Sequence, residues 1–153
     1  GGSVTGRQMA ACMAMGEAGA WTGSVWLTTA QGETSPVIKE KFLAASSRET
    51  VRSRSRTGKY TRQLRSPWTD AWQEKGAPDP LPMPLQAVIS APALARIDKL
   101  AEAGVPAAKK LATYWVGQGV GLMNSPVSAR TVVADFMADF GESVERLGGI
   151  MDE

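Results

Sequence analysis

Two short glycine segments hold the residues of this sequence best suited to gripping a ligand: Gly1-Gly2, and further along Gly23-Ser24. Glycine lets the backbone come close to a bound group, and amides left free at the start of a helix attract anions. A phosphate is the ligand such a pair of turns would suit. Turn and cap glycines with no ligand would look the same, because short glycine motifs have many false positives. Other chemistry is narrowed by composition. Histidine is absent, which removes a Ser–His–Asp triad, a Cys–His pair and any histidine-bound metal from these residues. Cys12 is the single cysteine, so there is neither an internal disulfide nor a thiolate cluster. Asp70 and Glu74 are four residues apart, but like charges at that spacing mark a solvated helix face, and no carboxylate pair makes an acid/base case.

The bulk properties fit one soluble globular domain: 153 residues, 43% hydrophobic, 21% charged, net charge +2. A charge that small gives no push toward nucleic acid or an acidic membrane. No apolar run approaches the roughly 20 residues that cross a bilayer. Residues 1–7 lack the basic start and apolar middle of a signal peptide, so a cytoplasmic setting is the expectation.

Several elements must position the two turns. Residues 7–15 favour a helix with Met9, Cys12 and Met13 on its apolar side, stopped by Gly16 and Gly19. The predicted role of those methionines and of Cys12 is packing. Residues 20–27 are rich in Trp, Val and Thr and read as a strand interrupted at Gly23. Ser35 is a good N-cap, Pro36 fits the first helical position, and Ile38, Phe42 and Ala45 share a face. Residues 48–65 show no apolar periodicity and read as a loop. Ser66-Pro67 starts a short helix that pairs Trp68 with Trp72 for packing. Four prolines make residues 76–84 an extended connector. Residues 85–103 are helical with a break or kink at Pro92, and Leu94, Ile97 and Leu100 point inward. A last helix over residues 128–147 carries a stripe of Val133, Phe136, Met137, Phe140, Val144 and Leu147.

The order of glycine turn, helix, strand and Gly-Ser turn is the order in which the last loops of a TIM barrel build a phosphate site. A single strand forms no sheet, so its partners are expected upstream and the chain reads as part of a longer α/β protein. The expected fold is the C-terminal segment of a TIM barrel plus a helical subdomain, mostly α within this chain, with one or two short strands.

The run GRQMAACMAMGEAGAWTGSVWLTT resembles the segment after the phosphate loop in the nitronate monooxygenase (2-nitropropane dioxygenase) family. The runs SPVIKEKFLAA, TVRSRSRTGKYTRQLRSPWTDAW, PDPLPMPLQ and WVGQGVGLMN are also similar to its bacterial members. The resemblance implies a TIM barrel with a helical subdomain, noncovalent FMN, and oxidation of alkyl nitronates or nitroalkanes by O2. It places Gly1 and Gly2 in the phosphate loop, Gly23 and Ser24 in the second half of the phosphate cradle, and Gln118, between Gly117 and Gly119, toward the flavin. It also implies a division into barrel end (residues 1–47), connector and helical subdomain (48–127) and C-terminal helix (128–153). The family's catalytic histidine has no counterpart here, so no catalytic residue is assigned and the chain alone is expected to be inactive. Flavin enoyl-acyl-carrier-protein reductases share the likeness and leave a second substrate class open.

A different reading rests on Arg48, Arg52, Arg54, Arg56, Lys59, Arg62 and Arg65, which would make residues 48–65 the contact surface of a non-enzymatic helical binding module. Sparse aromatic residues and a low net charge weigh against nucleic acid, and a solvated loop is the simpler account. Apolar faces left over from a partial barrel predict self-association.

Overall fold

The computed structural model describes residues 2–151. Six α-helices dominate it: α1 (Gly6–Ala14), α2 (Pro36–Ala44), α3 (Pro67–Ala71), α4 (Leu85–Glu102), α5 (Pro106–Leu111) and α6 (Ala129–Met151). Two strands, β1 (Thr50–Ser53) and β2 (Thr61–Leu64), form an antiparallel hairpin.

The main core gathers on α2. Ser35 caps this helix by accepting the amide of Ile38, and Pro36 opens it, as the residue types require. Val37, Ile38 and the fully buried Phe42 then meet Ala101 of α4, Ala108 of α5, and Val116 and Val120 beyond them. Small alanines on the facing helices let the backbones close on the phenyl ring. The lysines of α2 act as caps for other elements. Lys39 Nζ donates to the carbonyls of Thr29 and Gly32, both at 2.7 Å. Lys41 Nζ donates to the carbonyls of Lys109, Lys110 and Ala112, which end α5. An ammonium there satisfies carbonyls that the helix leaves free. Burial of this group holds its pKa below the ordinary lysine value.

A second, smaller cluster packs Val132 of α6 against Val4, Val25 and Met123. Thr5 and Gln8 close a capping box on α1, and Gly16, with φ of 100°, takes the left-handed turn that ends it. Gly6 allows α1 to touch α6. A Cβ there would lie 1.8 Å from the carbonyl oxygen of Phe136.

Three regions differ from the sequence reading. The expected strand over residues 20–27 is irregular chain followed by a 3₁₀ helix, Ser24–Thr28. No strand lies beside it among the described residues, so its polar groups bond locally: Trp26 N reaches Gly23 O, and Trp26 Nε1 reaches Thr22 O. Trp21 is 96% exposed. The expected loop over residues 48–65 is instead the β1–β2 hairpin. Its buried face is polar, with Ser53, Ser55 and Gln63 inward, so no apolar alternation marks it. Leu64 N donates to Tyr114 O and Val116 N to Arg62 O, so residues 114–116 run alongside β2. On the surfaces, Met13, Met15, Leu100, Val133, Met137, Val144 and Leu147 are exposed. Cys12 is half-buried, and α4 runs through Pro92. Trp68 and Trp72 do pack together, with ring centroids 6.1 Å apart.

Candidate functional site

Gly117 is where the distant candidate segments meet. Its amide donates to Ser24 Oγ at 2.8 Å across 93 residues of sequence. A Cβ on Gly117 would lie 3.2 Å from that same oxygen and 3.6 Å from Gly2 Cα. Gly119 is tighter, since a Cβ there would come within 2.6 Å of Val4 Cγ1 and 2.9 Å of Gly2 O. Only glycine permits that approach. The 3₁₀ helix Gln118–Leu122 thus lies directly against the two turns singled out in the sequence.

A pocket opens on each side of this crossing. One, of about 350 Å³, is lined by Gly23, Ser24, Arg62, Trp115 and Gly117, with Leu27 and Tyr114 adding apolar wall. The other, of about 400 Å³, is lined by Gly2, Gln8, Ser47, Gln118 and Gly119. Gly2, Gly23, Ser24 and Gln118 therefore all lie on this crossing, while Gly1 falls outside the described residues. The amides of Gly23 and Ser24 donate to no backbone or side-chain acceptor among the described residues. Unpartnered amides at a tight turn are the kind of donor a phosphate uses.

Behind the aromatic wall stands Arg56. Its guanidinium lies 4.8 Å from the Trp115 ring centroid and 5.3 Å from that of Tyr114, and Nη2 donates to Thr113 O. The two rings meet edge to face at 5.1 Å. Burial pushes the pKa of Arg56 below the ordinary arginine value, while Asp98 and Tyr114 oppose that shift. Asp98 is shifted upward, first by burial and then by Glu102, with Arg56 pulling the other way. Two features here were not legible in the sequence. Arg62 and Arg56 read as members of a solvated basic run, but one lines a pocket and the other is buried at 8% exposure. Arg54 is likewise tied down, donating to Gly58 O and Pro80 O.

The family model for nitronate monooxygenase matches residues 1–139. The chain belongs to the nitronate monooxygenase family. It is 53% identical over 152 residues to Rv1533 of Mycobacterium tuberculosis, a protein described as a monooxygenase; the match covers 99% of this chain and 40% of that protein. Among solved structures, FabK from Thermotoga maritima aligns with a TM-score of 0.72 and 29% identity, over 98% of this chain and 45% of FabK. Nitroalkane oxidase from Streptomyces ansochromogenes aligns with a TM-score of 0.79, over 95% of this chain and 39% of its own, and at 24% identity it shows the fold alone. The chain thus spans about two fifths of the length of the relatives it matches. Its fold is a largely helical fragment of the family's TIM-barrel architecture. No helix of the described residues is long and apolar enough to cross a membrane.

Family membership raises the question of whether these residues suit a flavin mononucleotide. The phosphate end suits it. Free amides at Gly23 and Ser24, a serine hydroxyl already aimed at Gly117, and glycines whose added Cβ atoms would fill the crossing are the features of an anion cradle. Leu27, Tyr114 and Trp115 beside them offer apolar surface to the carbon skeleton. No group among the described residues is an evident proton acceptor in that pocket, whose one ionisable cation is Arg62.

Proposed function

We propose that this chain is the phosphate-holding portion of an FMN-dependent oxidoreductase that oxidises alkyl nitronates or nitroalkanes with O2. The observation that carries the reading is the meeting of Gly2, Ser24 and Gly117, three segments far apart in sequence that close on one crossing. In this reading residues 1–47 finish the barrel, residues 48–127 cover the site, and residues 128–153 form the closing helix. The amides of Gly2, Gly23 and Ser24 hold the phosphate; Gly1 lies outside the described residues. Ser24 Oγ keeps Gly117 in place by accepting its amide, and Gln118 is presented beside Gly2. Leu27, Tyr114 and Trp115 exclude water from the side of the pocket. FMN, when bound, supplies the two-electron acceptor that this protein's side chains lack.

No residue of the chain replaces a histidine base, since the sequence contains none. The base for a neutral nitroalkane therefore lies outside these residues, and the chain by itself turns over neither substrate in this reading. The hairpin arginines support the enzyme over a nucleic-acid module, because Arg54 and Arg56 are engaged inside the protein.

The test is to purify the protein as its gene encodes it and record its visible spectrum. Released FMN after heat precipitation, and O2 uptake with an alkyl nitronate, are the expected results. A colourless protein that takes up no added FMN would sink the reading. Flavin with turnover only on an enoyl thioester would move it to the reductase class.

A further inference from the structure

The two ends of the Gln8 side chain are used differently. Its Oε1 accepts the amides of Val4 at 2.7 Å and of Thr5 at 3.2 Å, completing the capping box of α1. Its Nε2 donates to no acceptor among the described residues. The residue is half-buried and lines the pocket of about 400 Å³ that it shares with Gly2, Ser47 and Gln118. With Oε1 held on the loop, Nε2 is the end left for that pocket.

A glutamate would close the same capping box, because either carboxylate or amide oxygen accepts the cap amides. It would also add a negative charge to the first turn of a helix, where the macrodipole favours one. Yet α1 has no acidic residue in its first turn. The polar side chains on the pocket, Gln8, Ser46, Ser47 and Gln118, are all uncharged. A neutral donor therefore stands where helix chemistry alone favours a carboxylate. Local rules of this kind are set aside where a site needs another residue. A ligand that brings its own negative charge beside Gly2 is such a need. The loop is held for it from both sides, by Gln8 at the Val4 amide and by Gly119, where a Cβ would lie 2.6 Å from Val4 Cγ1 and 2.9 Å from Gly2 O.

We propose that Gln8 Nε2 is a donor to the phosphate monoester held at Gly2, and that glutamine in place of glutamate is what admits the anion. This rests on the flavin reading of the site and adds to it a residue of α1, outside the glycine turns.

FMN and riboflavin differ by the phosphate alone, so they isolate this contact. Binding of each to the protein as its gene encodes it is read from flavin fluorescence and anisotropy, for the wild type, Gln8→Glu and Ala11→Glu. The last adds the same charge on the exposed side of α1. Wild type is expected to favour FMN over riboflavin, and Gln8→Glu to erase at least about tenfold of that preference while riboflavin affinity stays put. Without flavin, Gln8→Glu should melt no lower than wild type, since its cap is intact, so lost contact and lost fold carry opposite signatures. Ala11→Glu should keep nearly all of the preference. An unchanged FMN preference in Gln8→Glu would overturn the role of Gln8 and leave the flavin site standing. Equal loss in Ala11→Glu would reduce the effect to general charge and also overturn it. Failure of the wild type to bind either flavin would remove the flavin reading and this inference together.

Discussion

The two ends of the hydrophobic interior are built on opposite principles. Around α2, a phenyl ring is enclosed on all sides by helices and by the strand-like run 114–116, and two lysines seal neighbouring carbonyls. Along α6, a helix of 23 residues buries only Val132 and Ser143 among its fully covered positions. It rests chiefly on α1 at Gly6 and on the small cluster of Val4, Val25 and Met123. Phe136 and Phe140 are half-buried, while Val133, Met137, Val144, Leu147 and Ile150 face outward. The first region is held by packing from every direction, the second by one narrow seam. A substitution should therefore be costly or harmless according to which region it enters, more than according to how apolar the residue is.

The largest effect belongs to the enclosed core. Phe42→Ala should cost about 3–5 kcal/mol, read as a lowered denaturant midpoint, because the ring is fully buried and its alanine neighbours cannot collapse into the void. A cost under about 1 kcal/mol would mean the core is looser than its geometry. Next comes the seam. Gly6→Ala drives a methyl group against the Phe136 carbonyl, and a loss of roughly 1–3 kcal/mol is expected. Hydrogen exchange should show the loosening confined to α1 and α6. If exchange rose equally throughout α2, the two regions would be one cooperative unit and the contrast would fail.

Smaller again is the open face of α6. Val133→Ser and Met137→Ser should each change stability by no more than about 0.5 kcal/mol, since both side chains are largely exposed. They should also reduce the concentration-dependent self-association expected of an uncovered apolar stripe, measured by sedimentation. A monomer at every concentration in the wild type would argue that the stripe attracts nothing.

The smallest effect is a slope. Burial raises the pKa of Asp98, so the folded state holds its proton more firmly than the unfolded chain does. The resulting stabilisation is complete below the ordinary aspartate value of about 3.9 and fades as pH rises through the raised value. Asp98→Asn should flatten that decline in a pH series of thermal melts. An unchanged decline would assign it to other groups.

How legible these features were follows from what each depends on. The Ser35-Pro36 start of α2 and the Gly16 end of α1 follow from local chemistry, and the periodic face of Ile38, Phe42 and Ala45 gave the core. The glycine pairs pointed to a close approach, and Gly117 supplies it at long range. The hairpin stayed hidden because its inward residues, Ser53 and Gln63, are polar and bond within the hairpin itself, so no apolar alternation marks the strands. Arg56 stayed hidden for a different reason: its burial depends on Tyr114 and Trp115, far along the chain. The strand reading at residues 20–27 failed because β propensity needs a neighbouring strand, and none lies beside it among the described residues. The stripe on α6 was visible as a pattern, but a pattern does not say what covers it.

The central claim is that Gly2, Gly23 and Ser24 form one phosphate cradle, with Gly117 bound to it through Ser24 Oγ. Backbone amide spectra of the labelled chain, titrated with FMN and then with inorganic phosphate, test it most directly. The account predicts that the amides of Gly2, Gly23 and Ser24, and of Gly117 bound to Ser24 Oγ, move first and together with either ligand. Shifts scattered over the exposed face of α6, or none at these residues while flavin binds elsewhere, would contradict it.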